Sequence, residues 1–127
     1  MTTILICALI AALLPYLAKV PLAIAMNKLG GYDNQHPRAQ QAQLTGFGAR
    51  ALAAHQNSFE SLAVFTLAVA VVLGTNTLGT IVQYLAVAHI VARVLYCLFY
   101  YLNLHVLRSL IWAVGLGCAI AMIAVSL

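Results

Sequence analysis

The chain has 127 residues, of which 65% are hydrophobic and 6% charged, with two acidic side chains against six basic ones and a formal net charge of +4. A water-soluble domain carries about 45–50% apolar and about 25% charged residues, so the composition excludes a soluble enzyme. It also excludes a nucleic-acid-binding module, because the basic residues form no stripe or motif, and it predicts an integral membrane protein with no room for a separate soluble domain.

The first apolar run predicts a helix from about Thr3 to Met26, carrying Pro15 and Pro21. Proline inside a spanning helix is tolerated when neighbouring groups satisfy the freed carbonyls. The run lacks a positive leading segment and outlasts a signal-peptide core, so it reads as a retained helix. A polar loop follows from Asn27 to Arg38, rich in turn formers. The second helix is expected to run from about Ala39 to Leu73 without a break. At 1.5 Å per residue it exceeds the ~30 Å hydrocarbon core, so its first turns should project into water. After the uncharged turn Gly74 to Gly79 come a third helix, about Thr80 to Leu102, and a fourth, about Val106 to Ser126. The expected fold is therefore all-α, a four-transmembrane-helix bundle forming one domain over residues 1–127.

Lys28, Arg38, Arg50 and Arg108 cluster around the first loop and the last turn, whereas the termini and the Gly74 to Gly79 turn have no basic residue. The positive-inside rule then puts both termini on the non-cytoplasmic side. Cys7, Cys97 and Cys118 stand singly on separate helices. They read as small hydrophobes and imply neither a disulfide framework nor a metal site.

The ionisable residues within the apolar spans are the functional clue, since a carboxylate there costs at least ~2.5 kcal/mol and demands a partner or a polar cavity. On the second helix, Arg50, Asn57 and Glu60 are separated by seven and three residues and share one arc of the surface. On the third, His89, Arg93, Tyr96 and Tyr100 follow the i, i+4, i+7, i+11 pattern of one face. Arg108, Ser109 and Trp112 open the fourth. Each has a plain structural reading. Glu60 pairs with Arg93 to pin two helices together, Asn57 is interhelical glue, His55 packs on a different face, and Arg108 sets topology.

Taken together, Asn57-x-x-Glu60 on the second helix, Arg93-Val94-Leu95-Tyr96 with Tyr100 on the third, and Arg108-Ser109 opening the fourth resemble the MAPEG family. These are the membrane-associated proteins in eicosanoid and glutathione metabolism. The segment from Tyr32-Asp33-Asn34 to Pro37-Arg38, with Arg50, is similar to its bacterial branch. The resemblance implies a homotrimer of four-helix subunits in a bacterial inner membrane, with glutathione as co-substrate bound between subunits. It implies ligand contacts at Asn57, Glu60 and Tyr100, with Tyr96 at a site commonly His or Tyr, and places Arg108 and Ser109 beside the thiol.

The chemistry suits those residue types. Glutathione offers carboxylates to the guanidinium of Arg50 or Arg93 and an ammonium to Glu60, and a cation such as Arg108 favours its thiolate. Other members commonly carry further arginines where this chain has Ala53 and Gln56, and a basic residue on the first helix, for which Lys19 and Lys28 are the choices. The expectation is a glutathione-dependent transferase or peroxidase acting on lipophilic electrophiles from the bilayer. A non-catalytic lipid- or fatty-acid-binding protein is the alternative, and a bare membrane scaffold or transporter subunit has no motif of its own.

Overall fold

The computed structural model describes residues 1–127. Its elements are α1 (Thr2–Asn27), α2 (Pro37–Gln41), α3 (Gly46–Gly74), α4 (Thr80–Tyr101) and α5 (His105–Ala124), with no strand. The four long helices are each long and apolar enough to cross a membrane; α1 reaches α3 through the longer segment that contains α2, and the other connections are short. This is the expected all-α, four-transmembrane-helix architecture.

Periodicity explains which faces turn inward. In α1 the buried residues are Ile4, Cys7, Ala11, Pro15, Ala18, Leu22 and Met26, a stripe with the three-and-four spacing of one helical face. Between them, Leu5, Leu9, Leu13, Leu17 and Ile24 stay exposed. Apolar side chains exposed along a whole helix face suit a hydrocarbon solvent, because lipid exacts no penalty for them. The main core lies at the end remote from the polar loop, where Ile4 and Cys7 of α1, Phe65 and Val72 of α3, Val82 and Ala86 of α4, and Ala119 and Met122 of α5 meet. Small residues let the backbones close up. At Gly115 an added Cβ would stand 3.4 Å from Ala92 Cβ and 3.6 Å from Arg93 Cδ, so α5 rests almost directly on α4.

Both prolines sit inside one continuous α1. The carbonyl of Pro15 lies 2.8 Å from His55 Nδ1 of α3, which gives His55 the helix-packing role read from its position off the Asn57 face. The polar loop is ordered by its own side chains. Asp33 Oδ1 accepts the backbone N–H groups of Gln35 and His36 at 3.0 and 2.9 Å, an Asx-type turn. Gln40 donates to Gly31 O at 2.7 Å and accepts from Asp33 N–H at 3.0 Å.

One boundary expectation is corrected. The helix expected from Ala39 to Leu73 is two helices, α2 and α3, separated at residues 42–45. Thr45 is extended (φ −131°, ψ 168°) and Gly46 takes φ +54°, a left-handed conformation that glycine adopts without a Cβ clash. The residues before the break form a short collar against the end of α1. Gln41 is buried there, its side-chain amide 3.9 Å from Met26 Sδ at the end of α1.

Candidate functional site

Three helices bring the polar stripe together at mid-span. Glu60 stands fifteenth in the 29-residue α3, and Arg93 follows His89 by one turn on α4. Asn57 joins the two charges. Its Nδ2 donates to Glu60 Oε2 at 2.7 Å, and its Oδ1 accepts from Arg93 Nη2 at 2.8 Å. The direct Glu60–Arg93 ion pair is not formed, since neither residue has an ion-pair partner within 4.0 Å. The amide stands between them because it lies one turn before Glu60 on the same helix face and meets the guanidinium first. This leaves Arg93 4% exposed with a neutral partner, and Glu60 on the outer surface of the bundle with its carboxylate open to a further donor.

From Arg93 the site continues toward the α4–α5 turn as alternating cations and rings. The Arg93 guanidinium lies 4.1 Å from the Tyr96 ring centroid, and Tyr96 meets Tyr100 edge-on with centroids 5.5 Å apart. Arg108 of α5 covers the Tyr100 ring at 4.4 Å. Guanidinium groups stacked on aromatic faces are held in orientation while most of their N–H donors stay free. Two clefts flank this ladder. The deeper one, about 130 Å³, is lined by Asn57, Glu60, Ser61, His89, Arg93 and Trp112 with Val64, Leu116 and Ala119. The outer one, about 220 Å³, is lined by Tyr96, Tyr100, Arg108, Ser109 and Trp112. Trp112 walls both, so they are neighbours.

Of the residues singled out from sequence, Asn57, Glu60 and Arg93 gather in the deeper cleft, and Tyr96, Tyr100, Arg108 and Ser109 in the outer one. Arg50 enters neither. It sits two turns before Asn57 on α3, with its guanidinium 6.0 Å from the Phe47 ring and its Nε sealed without a partner. Lys19 lies 5.8 Å from the Tyr32 ring, at the loop end of α1, and Lys28 is exposed beyond it. The sequence assigns His89 no role beyond its place in the stripe and does not single out Ser61, yet both line the deeper cleft. The signal was present in the stripe, where His89 stands one turn before Arg93 on the face shared with Tyr96 and Tyr100.

The family model for the MAPEG family matches residues 3–127. The chain belongs to the MAPEG family. It is thus an integral membrane protein of a family associated with glutathione and eicosanoid metabolism, and its four-helix bundle is the family's. No curated protein and no solved structure gives a significant match. Within this MAPEG chain the chemistry of interest is carried by its own geometry: an exposed carboxylate, a buried guanidinium behind it, and a second guanidinium beside a hydroxyl at the mouth.

Proposed function

We propose that the protein is a glutathione-dependent transferase or peroxidase for lipophilic electrophiles that enter from the bilayer. The observation that carries this reading is the linked arrangement of Glu60, Asn57 and Arg93 with Tyr96, Tyr100 and Arg108 along one side of the subunit. Glu60 offers an open carboxylate for the ligand ammonium, and Arg93 offers N–H donors for a carboxylate. Arg50 lies seven residues from Asn57 along the same helix face, about 10 Å away, which is about the span of an extended tripeptide, and serves the far carboxylate. Arg108, held over Tyr100, favours the thiolate of glutathione, and the Ser109 hydroxyl donates a hydrogen bond to the sulfur.

The thiolate then attacks an electrophilic carbon delivered along the apolar wall, the leaving group or ring oxygen departing with the bonding pair, or it attacks a peroxide oxygen. The second attack breaks the O–O bond to release an alkoxide that takes up a proton, and leaves a glutathione sulfenic acid that a second glutathione converts to the disulfide and water. Glu60 and Trp112 are exposed on the single subunit, which supports a homotrimer whose neighbour closes the site. The basic loop and last turn support an inner-membrane orientation with both termini on the non-cytoplasmic side. The lack of further arginines at Ala53 and Gln56 favours a second reading, a lipid- or fatty-acid-binding protein without catalysis.

Glutathione titration by calorimetry on detergent-purified protein separates the two. Saturable binding that is lost in Glu60→Ala, with a near-ultraviolet thiolate absorbance that is lost in Arg108→Ala, is the expected result. No binding up to millimolar glutathione overturns the enzyme reading.

A further inference from the structure

His89 is the one titratable group in the deeper cleft to which the proposed chemistry assigns no task. Its ring is fixed from two sides: it stacks on Phe65 with centroids 4.3 Å apart and planes 3° from parallel, and Nδ1 lies 2.8 Å from the Gly115 carbonyl oxygen. A carbonyl oxygen only accepts, so Nδ1 carries the proton and Nε2 presents a lone pair. Nε2 makes no hydrogen bond within the chain. It is not sealed in either, because Arg50 Nε is the only fully buried side-chain nitrogen or oxygen without a partner. His89 lines the deeper cleft and the narrow crevice behind it, and Arg93 lines both with it. Arg93 commits one N–H to Asn57, and by the same reasoning its remaining donors are open to those spaces.

The cleft therefore presents an unmet acceptor and unmet donors one helical turn apart, against an apolar wall of Val64, Trp112 and Leu116. That pairing discriminates between ligands. A carboxylate set between Arg93 and Nε2 satisfies the guanidinium but meets the lone pair with another negative group, so the glutathione carboxylate proposed above takes Arg93 donors turned away from Nε2. A ketone, epoxide or ether accepts from Arg93 and leaves Nε2 unmet, which is costly at this depth. An O–H group answers both, donating to Nε2 and accepting from Arg93 or Ser61. We propose that His89 Nε2 is the acceptor of a co-substrate subsite selecting apolar molecules that carry an O–H group, alcohols and hydroperoxides among them. The assignment of that molecule as co-substrate rests on the function proposed above. The selectivity itself rests on the cleft alone.

Trp112 is the only tryptophan of the chain and walls the cleft, so its fluorescence reports occupancy. The test uses two probes, an ω-bromoundecanol and its methyl ether, whose bromine quenches indole emission on contact, titrated into purified protein in lipid nanodiscs. The alcohol is expected to quench wild type at about tenfold lower concentration than the ether. In His89→Asn, whose shorter amide can keep the Gly115 bond without a cleft-facing acceptor, the two curves should converge. In His89→Gln, which places an acceptor near the Nε2 position, the preference should return. Equal quenching of wild type by both probes overturns the proposal, as does an undiminished preference in His89→Asn. The wild-type comparison decides even if a variant fails to insert. Glutathione calorimetry on the same wild-type sample separates the two claims: absent binding defeats the enzyme reading and leaves an observed alcohol preference, and hence the subsite, standing.

Discussion

Asn57 holds two charges of opposite sign in register without letting them touch, and that role differs from a ligand contact. Asn57→Ala removes the only hydrogen-bond partner of the Arg93 guanidinium. A buried charged donor left unmet costs about 1–3 kcal/mol, so the variant should unfold at a lower temperature in a detergent thermal-shift assay. Glu60→Gln behaves differently, because the amide oxygen still accepts from Asn57 Nδ2 and only the charge is lost. Its stability should stay within about 0.5 kcal/mol of wild type, while glutathione affinity in calorimetry should fall at least about tenfold, the ordinary worth of a charge-assisted bond. Similar losses of stability in both variants would show that Glu60 is held for structure and not for a ligand. The residue stripes themselves were legible in the sequence because helical periodicity alone puts Arg93, Tyr96 and Tyr100 on one face. The neutral bridge was not. Whether Glu60 or Asn57 meets Arg93 depends on how α3 and α4 cross, and for the same reason the direction of the His89 ring could not be read from spacing.

At the scale of the helices, two glycines set how closely the bundle closes. At Gly115 a Cβ would make ordinary contact, 3.4 Å from Ala92 Cβ, whereas at Gly48 it would stand 2.8 Å from Leu44 Cδ2 and 3.3 Å from both Leu44 Cβ and Ala25 Cβ. Gly115→Ala should therefore be neutral or slightly stabilising, since alanine favours a helix over glycine by roughly 0.5–1 kcal/mol. Gly48→Ala should lower the melting temperature, because the extra atom presses α3 away from α1 and from the collar. Gly115→Leu should cost about 1–3 kcal/mol by overpacking, and it should weaken occupancy of the deeper cleft as α5 lifts from His89. Thermal unfolding of the three variants checks the order, and Gly115→Ala proving the most damaging would contradict the ordinary contact that a Cβ makes there. Helix number and span were plain from the apolar runs, yet the break before Gly46 was missed. The residues from Ala39 to Leu44 all tolerate a helix, and only the extended Thr45 with the left-handed Gly46 shows that the chain turns there.

For the whole molecule, the decisive quantity is the polar surface that a lone subunit would show to lipid. Glu60 is exposed halfway along α3, with Trp112 exposed on the neighbouring helix, and a carboxylate facing hydrocarbon costs at least ~2.5 kcal/mol. A cyclic assembly removes that cost, because each subunit offers the same face to a neighbour and buries its own in turn. The apolar surface gives no such drive, since lipid solvates exposed leucine as well as another helix does. On the function proposed above, the polar stripe then serves as association signal as well as candidate ligand site. Native mass spectrometry from mild detergent should show three copies. Glu60→Leu relieves the carboxylate's exposure and removes the polar drive, so it should shift the distribution toward smaller species. On the function proposed above, glutathione binds between subunits and should shift wild type toward the trimer by mass action. A wild-type protein that stays monomeric with and without glutathione would contradict both the assembly and the shared site, because the open carboxylate of Glu60 would then face lipid with nothing to meet it.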